Sequence, residues 1–232
     1  MDLQATRKKI IFAIAGIAFT MATVEILVLK SAWGMLHVPI TSCDCAGGGW
    51  HSIQTWLTLA FGAFFVAGLF AGLVYAIATL IRTRRFIFRI LGTAKPVNGV
   101  ARFTGSSCEA FSYGYLKPAI AVCAHCAQTL PAKEFTAMLA HEAHHVARRD
   151  PLWFFVFDIL KYTFFFVPLM RTLASWYRTI AELYADYGID RAALGEVLLR
   201  IAETRKIAGR GDFLAVSAFA SVLSARIERL LN

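Results

Sequence analysis

The sequence predicts an integral membrane protein, mainly α-helical with a small β-sheet, in which a pair of N-terminal spanning helices precedes a second domain. Three observations predict this class. First, 58% of the 232 residues are hydrophobic and 19 are Phe, against roughly 45–50% apolar usage in soluble domains. Second, two apolar stretches are long enough to cross a bilayer. Third, the chain from residue 93 onward changes to short strand-like segments and then to amphipathic helices.

The first apolar stretch covers residues 10–29 and is interrupted only by Glu25 and a few small polar residues. The second, residues 56–81, reads WLTLAFGAFFVAGLFAGLVYAIATLI and carries no charge. Each meets the length of about 20 apolar residues that a spanning helix needs. The first is too long for the apolar core of a signal peptide, and SAWGMLHVPI offers no cleavage site. Charge sets the orientation. Arg7, Lys8 and Lys9 precede the first span, Arg82, Arg84, Arg85 and Arg89 follow the second, and the loop 31–55 has no Lys or Arg. By the positive-inside rule, the loop is outside and both flanks are cytosolic. The division expected is therefore a transmembrane hairpin over 1–92 and a cytosol-facing domain over 93–232, in the cytoplasmic membrane of a bacterium. The net charge of +9 reads as topogenic and membrane-surface charge. Without basic runs interleaved with aromatics, direct nucleic-acid binding is not expected.

Within 93–130, NGVARF, AFSYG and PAIAVCA are β-branched or aromatic and bounded by Gly and Pro, so they read as strands. From Pro131 the pattern is helical, with Phe135, Met138, Leu139 and Val146 on one stripe. That helix should stop at Arg149, because the residue before a proline avoids the α region. Asp150-Pro151 then reads as an N-cap followed by Pro in the first turn of another helix. This next helix, about residues 151–170, has the length of a span but carries Asp158 and Lys161 and meets Pro168. From Trp176 the chain is polar and helical again, and the tail reads as further amphipathic helices broken at GRGD.

The chemistry is concentrated in LAHEAHHVARRDPL, residues 139–152. On a helix, positions i and i+4 share a face, so His141 and His145 can converge on one metal ion. Zinc takes imidazole nitrogen well, and a catalytic site leaves a position open for water. Glu142 is near enough to act on that water as a general base. A third ligand is needed, and Glu182 in AELYAD is the best supplier, with Asp186 one turn later as acceptor for a ligand histidine's free N–H. Solvated helix charges are the alternative reading of both acids. His144 points partly off the shared face and reads as a neighbour.

These residues carry a resemblance. LPAKEFTAMLAHEAHHVARRDPLW, with AFSYGYLKPAIAV upstream and AELYADYGIDRAAL and RIERLL downstream, resembles the BlaR/MecR family of membrane metallopeptidases, which are gluzincins. The similarity covers about residues 95–232. It implies a gluzincin-like fold with one zinc per chain held by His141, His145 and Glu182, and Glu142 as base. It also implies that the strand around Ala110 and Phe111 pairs with an extended substrate backbone. The activity implied is a zinc endopeptidase at the cytosolic membrane face, acting on a polypeptide such as a repressor. The chain reads as a minimal version without the C-terminal sensor of the signalling members. HtpX-type quality-control proteases share the motif but place two hydrophobic segments between the histidines and the third ligand. A non-catalytic signalling scaffold with a structural zinc would not need Glu142.

Among the five cysteines, Cys43 and Cys45 fall in the outer loop with His37 and His51, read as an ordinary loop. Cys108, Cys123 and Cys126 fall on the cytosolic side, where disulfides are rare. Cys123 and Cys126 have metal-ligand spacing without a second pair, and read as buried packing residues. Glu25, Asp158 and Lys161 are ionisable residues in apolar stretches, where such groups are functional candidates. Because His145 and Glu182 must meet at one ion, residues 151–170 cannot cross the membrane once. Only 36 residues lie between the two, too few for two spans of about 20 residues each. The segment should therefore dip into the membrane or lie against the N-terminal spans, turn near Pro168, and return.

Overall fold

The computed structural model describes residues 3–36, 48–92, 99–105 and 109–208. His37, Cys43, Cys45, Cys108, the RIERLL segment and the side chains of Glu25 and His51 lie outside the described residues. Two long helices open the chain, α1 (Leu3–Leu36) and α2 (Gly48–Leu91). Both run past the apolar stretches read from the sequence, since the Arg and Lys residues flanking those stretches are themselves good helix formers. Among the described residues, Trp56–Leu91 is the helical stretch long and apolar enough to cross a membrane, by length and composition. For α1, the expected span therefore rests on the sequence.

A helical hairpin packs onto these two helices. Its arms are α5 (Asp150–Thr163) and α6 (Pro168–Ala185), joined by residues 164–167. Thus the polar helix expected from Trp176 begins earlier, at Pro168, where a proline in the first turn forfeits no intrahelical hydrogen bond. α5 lies along α2 and α6 along α1. Ile10 and Ile14 of α1 join Phe157, Phe164, Met170, Leu173, Ala174, Tyr177 and Ala181 in one buried cluster.

Two glycines let α5 approach α2. A Cβ at Gly68 would collide with the Thr163 carbonyl oxygen, and one at Gly72 with the Thr163 hydroxyl. Closer to the Arg82 end of α2, Asp158 is buried and accepts from Tyr75 of α2 (3.0 Å), Lys161 (3.0 Å) and Arg178 of α6. Asp158 and Lys161 do pair at i, i+3, but they belong to a cluster that fastens three helices together.

The sheet has strand order β1-β3-β2, from β1 (Val100–Phe103), β2 (Ala110–Tyr113) and β3 (Ala119–Cys123). β3 is buried at every position, as its uninterrupted apolar sequence AIAVC requires. It pairs in parallel with β1 and antiparallel with β2. Behind it a short α3 (Ala124–Thr129) leads into α4 (Ala132–Arg148), which packs on β2, and α7 (Arg191–Ala208) packs on α4. Cys123 and Cys126 are both fully buried here. Cys123 is a free thiol 3.3 Å from the Gly105 carbonyl, whereas Cys126 is disulfide-bonded, which departs from the reduced thiol expected of it.

The register of β2 decides which backbone groups it offers. Cys123 N–H donates to the Glu109 carbonyl, so residues 109, 111 and 113 face β3, while Ala110 and Ser112 point to the outer edge, which no strand covers among the described residues, by antiparallel alternation. Of the two residues read as strand-pairing, Ala110 turns its backbone groups outward. Those of Phe111 are turned toward β3, and Ser112 takes its place.

Gly68→Ala should destabilise the protein by about 1–3 kcal/mol, the usual effect of overpacking. Gly72→Ala should do less, because a hydroxyl can rotate away where a carbonyl cannot. Thermal unfolding in detergent should also show Thr163→Ala rescuing Gly72→Ala and failing to rescue Gly68→Ala.

Candidate metal centre

Helical spacing brings His141 and His145 of α4 together, their rings nearly perpendicular at 84° with centroids 4.8 Å apart. Both are buried. Glu182, on the facing side of α6, completes a group of three donors. Nε2 of His141 stands 3.2 Å from Nε2 of His145 and 3.4 Å from Oε2 of Glu182, and His145 Nε2 is 3.6 Å from Oε1 of the same carboxylate.

The other ring nitrogens explain why these atoms face one another. His141 Nδ1 is 2.9 Å from Asp186 Oδ1, and His145 Nδ1 is 2.9 Å from Asp150 Oδ2. A carboxylate can only accept, so each Nδ1 carries a proton, and in the neutral imidazole each Nε2 then presents a lone pair. Two imidazole Nε2 atoms and a carboxylate thus converge. Atoms each about 2.05 Å from a tetrahedral ion are separated by roughly 3.3 Å. The three observed separations bracket that value, so the residues fit a metal ion.

The sequence missed Asp150. It was read as an N-cap, but the cap position is Arg149, whose φ of 54° is left-handed. This conformation costs a side-chain-bearing residue roughly 1–2 kcal/mol. It lets α5 start at once and turns Asp150 back beneath His145. There the carboxylate is 0% exposed and also accepts from Arg7 Nη2 (3.0 Å) and the Tyr177 hydroxyl (3.2 Å). Burial, then the Asp150 charge, pushes the Tyr177 pKa up, so its hydroxyl stays protonated and can donate. An acid five residues after the second histidine, just past a forced helix end, was the available signal. Arg7 gave none, having been read as topogenic charge.

His144 is a neighbour, as expected, with its Nδ1 2.8 Å from the Ala185 carbonyl at the end of α6. Glu142 faces β2, and its carboxylate accepts from the Ser112 backbone N–H. Burial pushes the Glu142 pKa up and Glu182 adds to the effect, while His141, His145 and the Ser112 N–H oppose it. The site therefore sets three convergent donors beside an acid of raised proton affinity and the outer edge of a strand.

A family model described as BlaR1 peptidase M56 matches residues 43–194. The chain belongs to that family. Among curated proteins, none matches the chain significantly. The matched stretch holds β2, α4, α5, α6 and all three convergent donors. An M56 chain is a peptidase by family.

Asp186→Ala should weaken divalent-metal binding about 10–100-fold, since it removes the acceptor that orients His141. His144→Ala should leave the metal stoichiometry of the purified protein unchanged by elemental analysis.

Proposed function

We propose that this M56 chain is a zinc-dependent endopeptidase that cleaves polypeptides at the cytosolic surface of the membrane. The observation that supports this best is the convergence of two imidazole lone pairs and the Glu182 carboxylate beside Glu142. His141, His145 and Glu182 would hold one zinc per chain. When bound, zinc supplies a water with a pKa of about 7 and polarises the scissile carbonyl.

The remaining steps belong to the chain's own residues. Asp186 and Asp150 keep His141 and His145 in the tautomer that offers Nε2. Glu142 takes the proton of the attacking water and returns it to the leaving amine, and burial that raises its proton affinity suits both halves of that task. Ala110 offers an outward N–H and C=O, and Ser112 an outward C=O, to an extended substrate backbone added along β2. A segment that can adopt a strand conformation is therefore the substrate class. A cytosolic repressor, as in the signalling members that the sequence resembles, is the leading candidate.

The membrane placement is supported by the packing levels along α2. Phe165 and Phe164 at the hairpin turn meet Phe64 and Phe65. At the other end, Tyr115 hydrogen-bonds Thr83 at 3.1 Å and stacks on Phe155. With residues 56–81 of α2 in the bilayer, the turn stands roughly 25 Å above Arg82, at about 1.5 Å per helical residue. The hairpin then enters the membrane without crossing it, and His145 and Glu182 stay at the cytosolic surface. A disulfide at Cys126 argues for the opposite side. We give more weight to the basic residues: Arg7, Lys8 and Lys9 before the first expected span and Arg82, Arg84, Arg85 and Arg89 after the second outnumber Lys30, the one Lys or Arg between the spans.

Two experiments test this reading. Glu142→Gln should retain one zinc per chain and lose peptide cleavage, whereas His141→Ala, His145→Ala and Glu182→Ala should each lose zinc. Stoichiometric zinc in Glu182→Ala would remove that residue from the ligand set. Single cysteines at Arg178 and Arg191, in an otherwise cysteine-free chain, should label only from the cytosol. Labelling of either from outside intact cells would overturn the orientation.

A further inference from the structure

Arg7 lies 143 residues before Asp150 and 170 before Tyr177, and it precedes the stretch matched by the M56 model. Its flanking charges need only stand at a membrane surface to orient a helix. Arg7 does something more specific. Its Nη2 donates to Asp150 Oδ1 (3.0 Å), to the Tyr177 hydroxyl (2.8 Å) and to the Arg148 carbonyl (3.2 Å), and its Nε donates to the same hydroxyl (3.0 Å). The side chain is only 14% exposed and Asp150 is 0% exposed. Lys8 and Lys9, by contrast, are exposed.

We propose that Arg7 is a positioning residue of the metal centre: through Asp150 it fixes His145, which makes the first helix part of the site. The inference rests on the metal reading given above. Asp150 has two jobs, and they depend on each other. Oδ2 accepts from His145 Nδ1–H at 2.9 Å, and it keeps that position only while Oδ1 is held from the other side. A buried carboxylate keeps its charge only if a cation or several donors compensate it. Among the described contacts, Arg7 is the cation that touches it. Without Arg7, Oδ1 loses its charged partner and the carboxylate is no longer held in place, which loosens the His145 ring that Oδ2 orients. Ile10 and Ile14, one and two turns further along α1, are buried against the hairpin, so the position of Arg7 is tied to the seating of the whole helix.

A purely anchoring role would weaken folding without altering the metal's surroundings. The test therefore reads the metal itself, on the full chain in detergent. Zinc affinity is measured by competition with a chromophoric chelator, and the absorption spectrum of the cobalt-substituted protein reports ligand geometry. Arg7→Gln should bind zinc about 10–100-fold more weakly, the usual effect of losing a ligand's supporting partner, and should shift the cobalt bands. Lys8→Gln and Lys9→Gln should change neither. In an Asp150→Asn background, Arg7→Gln should have almost no further effect, because the carboxylate that Arg7 holds is gone.

Wild-type zinc affinity and cobalt spectrum in Arg7→Gln would overturn the proposal, and so would a full additional loss in the Asp150→Asn background. If Arg7→Gln does not fold, Arg7→Lys decides. It keeps the charge but loses the fork, so it should bind zinc several-fold more weakly, and unchanged binding would overturn the proposal. A wild-type chain that takes up no zinc would fell the metal reading itself and this inference with it. Zinc uptake by the wild type with Arg7 variants unaffected would fell this inference alone.

Discussion

The buried carboxylate of Asp150 is the constraint on which the arrangement turns. A charge at 0% exposure must be matched on every side, and its partners come from three separate parts of the chain: Arg7 on α1, Tyr177 on α6 and His145 on α4. Satisfying that one group fixes where α1 and α6 stand relative to α4. It also fixes which nitrogen of His145 faces Glu182. The left-handed Arg149 is the local distortion that makes this possible. Strain at a single backbone position, roughly 1–2 kcal/mol, is small against leaving such a carboxylate unpaired.

A second constraint is close approach. Helices without large side chains between them can bring backbones together, and Gly68 and Gly72 allow this where α5 meets α2. The hairpin can then lie flat on α2 with its aromatic turn against Phe64 and Phe65, while Asp158, Tyr75, Lys161 and Arg178 hold its middle. With the hairpin so fixed, α6 returns alongside α4, and Glu182 and Asp186 arrive together at the two histidines.

Much of this was legible in the sequence because its signals were local. The three strands follow from short β-branched runs between Gly and Pro. α4 and its histidine pair follow from a four-residue spacing, and Glu182 and Asp186 from the same spacing on α6. What was not legible depended on tertiary direction. Asp150-Pro151 has the form of a cap in any helix, and only the reversal at Arg149 turns the carboxylate inward. Arg7 resembles Lys8 and Lys9 in composition, and only packing separates it from them. Phe111 was named with Ala110 as a strand-pairing residue, but hydrogen-bond alternation depends on the register with β3, which a single strand's sequence does not contain. Ser112, whose N–H reaches Glu142, was missed for the same reason.

The order in which a ribosome makes the chain gives the long reach from Arg7 to Tyr177 a further meaning. The helix bearing Arg7 is made 170 residues ahead of the hydroxyl it holds, and Glu182 and Asp186 follow only after that. During synthesis the two histidines therefore emerge before their carboxylate partners on α6, and the hairpin must find its place on α1 and α2 before the donor set is complete. A peptidase whose activity needs that donor set would stay latent while its own unfolded chain, with its strand edges exposed, is the nearest available peptide.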